Sequence, residues 1–273
     1  MISNLAYIHP QARIGKNVTI GPFCSVDADV EIGDNTWIGS NVSIMDGARI
    51  GQECRIFPGA VISAIPQDLK FEGEMTYTVI GDRSTIRECA TINRGTKASG
   101  KTVIGKEALL MAYVHVAHDC YIGNNCILVN AVQMAGHVVM EDFAIVGGTS
   151  AVHQFSRIGA HAMVSGGALI RKDVPPFVKA GREPLTFVGI NSLGLRRRGF
   201  SNDKIIQIQD IYRILFQKGY NNTDALGIIE AELPDSQERR HIVDFVKASE
   251  RGIIRGGGSL SKENSTGKFN DDF

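Results

Sequence analysis

Between Ile104 and Val174 an aliphatic residue returns at every sixth position: Ile104, Leu110, Val116, Ile122, Leu128, Met134, Met140, Val146, Val152, Ile158, Val164 and Ile170. Four residues after each stands a small one, from Ala108, Val114, Cys120 and Cys126 on to Ala162, Ala168 and Val174, with no charge and no large aromatic among them. An α-helix repeats its apolar face about every 3.6 residues and a plain strand every second residue. A strict six is the signature of hexapeptide repeats in a parallel β-helix. The same register runs from Ile8 through Ile14, Ile20, Val26, Ile32, Ile38, Ile44, Ile50 and Ile56 to Ile62. Three flat faces of six residues make a coil of eighteen, and successive coils pair as parallel strands about 4.8 Å apart. No coil buries its own apolar edge, so stability must come from stacking.

The period breaks twice, near 63–79 and near 95–103. Insertions must leave the prism as external loops, and loops on a rigid scaffold commonly carry binding residues. The first packs Gln67, Asp68, Leu69 and Lys70 into one short run rich in hydrogen-bonding groups; the second reads equally well as a tolerated surface insertion. The repeat ends at Pro175-Pro176, after which the pattern turns helical. Ser201 is a suitable N-cap for an apolar side of Ile205, Ile208, Ile211 and Leu215 that stops at Gly219, and further helices are expected near 223–233 and 236–249. The expected division is thus 1–176 prism, 177–255 helical domain and 256–273 disordered tail, the last from its glycine run and polar composition.

Composition narrows the partners. Twenty-nine basic and 29 acidic residues give a formal charge of zero, which argues against wholesale binding to nucleic acid or an anionic membrane surface. No apolar run is long enough to span a bilayer and the N-terminus has no basic leader, so the chain reads as cytoplasmic. Five cysteines are an odd number for a disulfide framework. Cys24, Cys54, Cys120 and Cys126 fall in the small column as buried hydrophobes; Cys89 lies outside it, with no paired ligands for zinc.

Chemistry is expected where unusual side chains interrupt the repeat. His118, His137 and His153 belong to hexapeptides starting eighteen residues apart, at Val116, Met134 and Val152. Such spacing puts them on one face of three successive coils, about 10 Å from first to last. His115 lies nearby and Asp119 follows His118 directly. A carboxylate beside a histidine can orient the ring and set its tautomer, which singles out His118 as a general base. His9 and His241 read as ordinary surface residues and His161 as structural.

The ordered set His115-Val-Ala-His118-Asp119-Cys120, Ala135-Gly136-His137, Gly147-Gly148, Ala151-Val-His153-Gln154-Phe155, Asp173-Val-Pro-Pro176 and Arg196-Arg-Arg-Gly-Phe200, with Gln67 to Lys70, resembles the UDP-N-acetylglucosamine acyltransferases that open lipid A synthesis. The resemblance covers Ile8 to about Ile254. It implies an all-β left-handed parallel β-helix with a small α-helical C-terminal domain, although generic parallel crossovers are right-handed. It also implies a homotrimer, and transfer of a 3-hydroxyacyl group from acyl carrier protein to the sugar 3-hydroxyl of UDP-N-acetylglucosamine. By the same resemblance His118 is the base, Asp119 its orienting partner, and the Gly136 N–H the donor to the thioester oxyanion. His115, His137, His153, Gln154, Gln67 and Lys70 match substrate contacts, and Asn191, Arg197 and Arg198 contacts to the nucleotide. The triplet Arg196 to Arg198 also suits an acidic carrier protein, or simply closes a helix.

No metal, flavin or nicotinamide motif is present, and the reaction requires no cofactor. Two other readings stand beside it: a zinc hydratase of the hexapeptide carbonic-anhydrase type, and the later-pathway N-acyltransferase, whose extra N-terminal uridine-binding domain has no counterpart before Ile8. Gly166 lies eight hexapeptides past Val116, about 13 Å along the prism. A chain of about ten carbons would reach it, so Gly166 is expected to leave the groove open for longer acyl chains.

Overall fold

The computed structural model describes residues 1–256; the tail expected over 256–273 lies, except for Gly256, outside the described residues. The six-residue period appears as two-residue strands that form three parallel sheets, one per face of a prism. The first face contains Tyr7–Ile8, His115–Val116, Gln133–Met134, Ala151–Val152 and Leu169–Ile170; the second contains Arg13–Ile14, Tyr121–Ile122, Val139–Met140 and Arg157–Ile158. The third runs from Thr19–Ile20 through Leu109–Leu110 and Ile145–Val146 to Met163–Val164. Undisturbed coils pair eighteen residues apart, as His115 does with Gln133 and Gln133 with Ala151.

Both repeating columns point inward. Ile56, Ile62, Val116, Ile122 and Leu128 are fully buried, as are Ala60, Val114 and Cys126 of the small column. Burial pushes the Cys120 and Cys126 thiols up to about 12, which makes them inert core residues. Glycine after the aliphatic position is required by space, not by torsion: a Cβ on Gly33 would lie 2.5 Å from the backbone of the next coil. The left-handed torsion falls two residues later, at Asn17, Asn35, Asn125 and their equivalents.

The insertions are narrower than the broken period suggested. Val61 pairs with Thr91 and Thr91 with His115, spacings of 30 and 24 residues. The loops that carry the extra residues are 65–76 and 94–100, whereas Tyr77–Ile80 and Lys101–Ile104 are strands. Both insertions leave the prism at the same edge, between the first and second faces.

The C-terminal part is less purely helical than its sequence indicated. Val178–Gly181 extends the third face, Thr186–Ile190 pairs with it antiparallel, and Arg255–Gly256 pairs with Thr186–Phe187. Four helices follow the antiparallel turn: α1 (Ser192–Arg197), α2 (Asn202–Gln217), α3 (Asn222–Glu232) and α4 (Gln237–Lys247), α2 and α4 being capped by Ser201 and Ser236. Asp173 ties the parts together, accepting from Arg157 N–H at 2.8 Å and from the Ser249 hydroxyl at 2.7 Å.

Candidate active site

His118, Asp119, Gly136, His137, His153 and Gln154 all lie between a first-face strand and the second-face strand that follows it. They therefore stand on an edge of the prism, not on a flat face, and it is the edge from which both insertions emerge. Asp119, His137 and Phe155 occupy equivalent corners of three coils, with φ of 59°, 59° and 64°. Because the repeat imposes this torsion on every edge, it marks a position and not functional strain.

The centre of the edge is an imidazole–carboxylate pair, His118 Nδ1 to Asp119 Oδ2 at 2.8 Å. The Asp119 side chain is 0 % exposed. Its other bonds come from the second insertion: Thr96 N–H to Oδ1 at 3.0 Å, the Thr96 hydroxyl to Oδ2 at 2.7 Å, and the Ser99 hydroxyl to Oδ1. Burial alone would raise the carboxyl pKa, but the donors from Ser99, Thr96 and His118 outweigh it and hold Asp119 at about 2. An ionised carboxylate accepts, so Nδ1 carries the hydrogen and Nε2 keeps its lone pair.

Gly136 is a glycine because the imidazole lies on it. An added Cβ would meet His118 Cε1 at 2.6 Å and Nε2 at 2.8 Å, both closer than real contacts allow. Its N–H has no protein acceptor among the described residues. His137 meets His118 edge-on at 5.2 Å between ring centroids and is itself stacked on Phe155 at 4.7 Å. His115 Nδ1 is 2.7 Å from the Thr91 hydroxyl, and burial, reinforced by His118, pushes its pKa down. His153 is exposed, with Nδ1 3.0 Å from the Gln154 carbonyl. Gln67 and Lys70 are exposed on the first insertion of the same edge.

The remaining expected residues lie on other edges. Arg198 places its guanidinium 4.5 Å over Phe143, between the second and third faces. Arg196 and Arg197 occupy the last turn of α1, the helix-closing position weighed for this triplet. Asn191 is 5 % exposed, and both ends of its amide are engaged: it donates to the His161 carbonyl at 3.0 Å and accepts from Gly194 N–H at 3.2 Å. That is an N-cap's environment, and it leaves one amide hydrogen and one oxygen lone pair for the nucleotide contact expected of it. Gly166 lies between the third and first faces. Eight hexapeptides are not a whole number of coils, so the groove drawn from His118 to Gly166 does not run along one chain.

The sequence reading missed Thr96, Ser99 and Thr102, whose hydroxyl accepts from Asp119 N–H at 2.9 Å. Their signal was the 24-residue spacing from Thr91 to His115, which sets an insertion of small polar residues directly beside the dyad.

One ligand atom each from His118, Asp119 and His137 falls within 4.8 Å of the others. The donor set does not suit an ion, however. Four hydrogen bonds converge on the two Asp119 oxygens, and His118 Nδ1 is one of the donors. The zinc hydratase reading therefore lacks its ligands here.

A prism of hexapeptide coils with a histidine–carboxylate pair on one edge defines a hexapeptide-repeat transferase, and the family model described as bacterial transferase hexapeptide matches 29–64 and 101–135. A second, described as UDP N-acetylglucosamine O-acyltransferase, domain 2, matches 173–254. The chain belongs to the acyl-[acyl-carrier-protein]--UDP-N-acetylglucosamine O-acyltransferase family. It is 46 % identical over 260 residues to that enzyme of Janthinobacterium sp. (strain Marseille), covering 93 % of this chain and 99 % of the relative. It also matches the solved UDP-N-acetylglucosamine acyltransferase of Bacteroides fragilis 9343 with a TM-score of 0.92 and 55 % identity, over 93 % of this chain and all of that one. The Arabidopsis UDP-N-acetylglucosamine acyltransferase matches at 0.82 and 33 % identity, over 93 % of this chain and all of that one. The coils have the left hand of this family, the hand opposite to ordinary parallel crossovers. Among the described residues no helix is long and apolar enough to cross a membrane.

Proposed function

We propose that this chain transfers a long 3-hydroxyacyl group from acyl carrier protein to the 3-hydroxyl of UDP-N-acetylglucosamine, the opening step of lipid A synthesis, in the cytoplasm. The observation that carries the mechanism is the 2.8 Å contact between His118 Nδ1 and a carboxylate held by donors on both oxygens. With the hydrogen fixed on Nδ1, Nε2 accepts the proton of the sugar hydroxyl as its oxygen attacks the thioester carbonyl. Asp119 stabilises the imidazolium. The carbonyl oxygen becomes an oxyanion, for which Gly136 N–H is the available donor. Collapse breaks the carbon–sulfur bond, and the departing thiolate takes the proton back from Nε2. No metal enters any step. His137, His153, Gln154, Gln67 and Lys70 line the same edge as substrate contacts, with His115 on the adjoining first-face strand.

The homotrimer of this reading is supported by how the remaining groups are distributed. Arg198 and Gly166 stand on edges away from His118 and Arg197 lies on α1, so we take a single copy not to gather them around one substrate. A closed ring of three copies brings different edges of neighbours together. Light scattering should give three times the chain mass; a monomer at working concentration would remove this part.

Incubation with UDP-N-acetylglucosamine, its 3-amino analogue and a series of acyl carrier proteins, with products identified by mass spectrometry, tests the activity. The expected product is the 3-O-acyl sugar with a chain beyond ten carbons; turnover of the amino sugar alone would overturn the reading. Gly166 has no left-handed torsion to forbid a side chain, although a Cβ would sit 3.1 Å from Gly148 O. Gly166→Met should shift preference toward shorter chains in competition assays, provided the acyl groove crosses between copies. An unchanged profile would place the ruler elsewhere.

A further inference from the structure

We infer that Thr96 and Ser99, in the insertion one coil before the dyad, are positioning residues for the reaction: they fix the Asp119 carboxylate so that His118 keeps its hydrogen on Nδ1 and presents Nε2. The inference rests on the proposed role of His118 as base. The Thr96 hydroxyl has few alternatives, whereas Ser99 is exposed. The Thr96 oxygen accepts from Ala98 N–H at 3.2 Å, so its own hydrogen is directed at Asp119 Oδ2, 2.7 Å away. The Ser99 hydrogen is shared between Asp119 Oδ1 and the Lys101 carbonyl. Thr96 is 6 % exposed, so no solvent hydrogen bond substitutes readily for the one it makes.

The insertion's own charges are turned elsewhere. Lys97 directs its ammonium to Glu72 at 3.7 Å and its N–H to Glu74 at 3.0 Å. The titratable groups facing the dyad are therefore His115, whose pKa is lowered by burial and then by His118, and His137, whose Nε2 is 3.6 Å from Asp119 Oδ2. Neutral hydroxyls, not a cation, stabilise the carboxylate. They spread its charge without competing for the imidazolium that forms during the reaction. A tether between Glu74 and the Lys97 N–H also joins this insertion to the one bearing Gln67 and Lys70.

If the hydroxyls act on the dyad, removing them concentrates the carboxylate charge on His118, and the pair holds its shared proton to higher pH. In the full-length chain, Ser99→Ala and Thr96→Val should each lower kcat about tenfold, the order expected for a hydrogen bond to a charged group. KM should change less than about twofold, and the acid limb of kcat/KM should move to higher pH. Ser99→Thr and Thr96→Ser, which keep the hydroxyl, should restore most of the rate. Peptide-resolved carbethoxylation of His118 across pH needs no turnover and follows the same pair. Its onset should move to higher pH in Ser99→Ala, even if the substrate assignment fails. An unmoved carbethoxylation profile in folded variants would overturn the inference. So would a lost rate that the hydroxyl-bearing variants do not restore, which would mark the loop as merely structural.

Discussion

Two edges of the prism carry the same backbone feature and do opposite things with it. Between the first and second faces, Asp119, His137 and Phe155 stand at left-handed corners of successive coils; between the second and third, Phe143, His161 and Phe177 do the same. His137 stacks on Phe155 at 4.7 Å and His161 on Phe143 at 4.9 Å, so the ring ladders are nearly identical. On the first edge the ladder ends in an ionised carboxylate, and Phe155 remains 53 % exposed. On the second it is capped by the helical part: Phe200 meets His161 edge-on, His241 meets Phe177, and Arg198 covers Phe143. The repeat sets where a side chain stands, and what packs over it decides whether it becomes chemistry or core.

The comparison breaks most sharply at His118. His118→Ala should leave the coils folded, since the ring lies outside the aliphatic column, yet lower acyl transfer by about two to four powers of ten. Near-normal turnover in the folded variant would remove the dyad from the mechanism. On the other edge the effect should invert. Phe177 is 3 % exposed between His161 and Phe200, and Phe177→Ala should cost about 3–5 kcal/mol of stability with little change in kcat per folded molecule. A thermal midpoint within a degree or two of wild type would show that this ladder carries little of the helix–prism interface.

Fold and site were unequally legible in the chain. The six-residue column survived as the core almost without exception because side-chain burial obeys the coil's own period. His118 and Asp119 were legible because they are adjacent in sequence. Their support was not: Thr96 and Ser99 reach Asp119 from the neighbouring coil but 23 and 20 residues away, because an insertion hides the eighteen-residue register. Gly136 was legible as an oxyanion donor only through the resemblance, and nothing in the sequence shows that the His118 imidazole lies on it. The N-cap role of Asn191 was not legible, because it needs the start of α1 and the His161 carbonyl, which only the fold brings together. Strands Val178–Gly181 and Thr186–Ile190 were lost because the period stops just before them and the pairing becomes antiparallel.

The smallest effect tests the edge comparison most directly, because it exchanges one aromatic ring for another. His161 lies between Phe143 and Phe177, with interplanar angles of 8° and 16°, and its buried Nδ1 has no hydrogen-bond partner. Burial, assisted by the positive charges of Arg198 and His241, pushes its pKa down to about 4. An unfolded chain takes up this proton near pH 6.5, whereas the folded one waits until about 4. The stabilisation is therefore whole above the first value and is lost as pH falls toward the second. Phenylalanine already occupies the equivalent corner one coil before and after, at φ of 62° and 65°, so the backbone at 161 accepts it. His161→Phe removes both the unpartnered nitrogen and the proton linkage. It should raise stability by about 1 kcal/mol at neutral pH and flatten the decline in thermal midpoint between about pH 6.5 and 4. The same substitution at His137 should give no such gain, since that ring borders the Asp119 carboxylate at 3.6 Å. If His161→Phe melts no higher than wild type and keeps its acid slope, burial of the second edge is not what separates the two ladders.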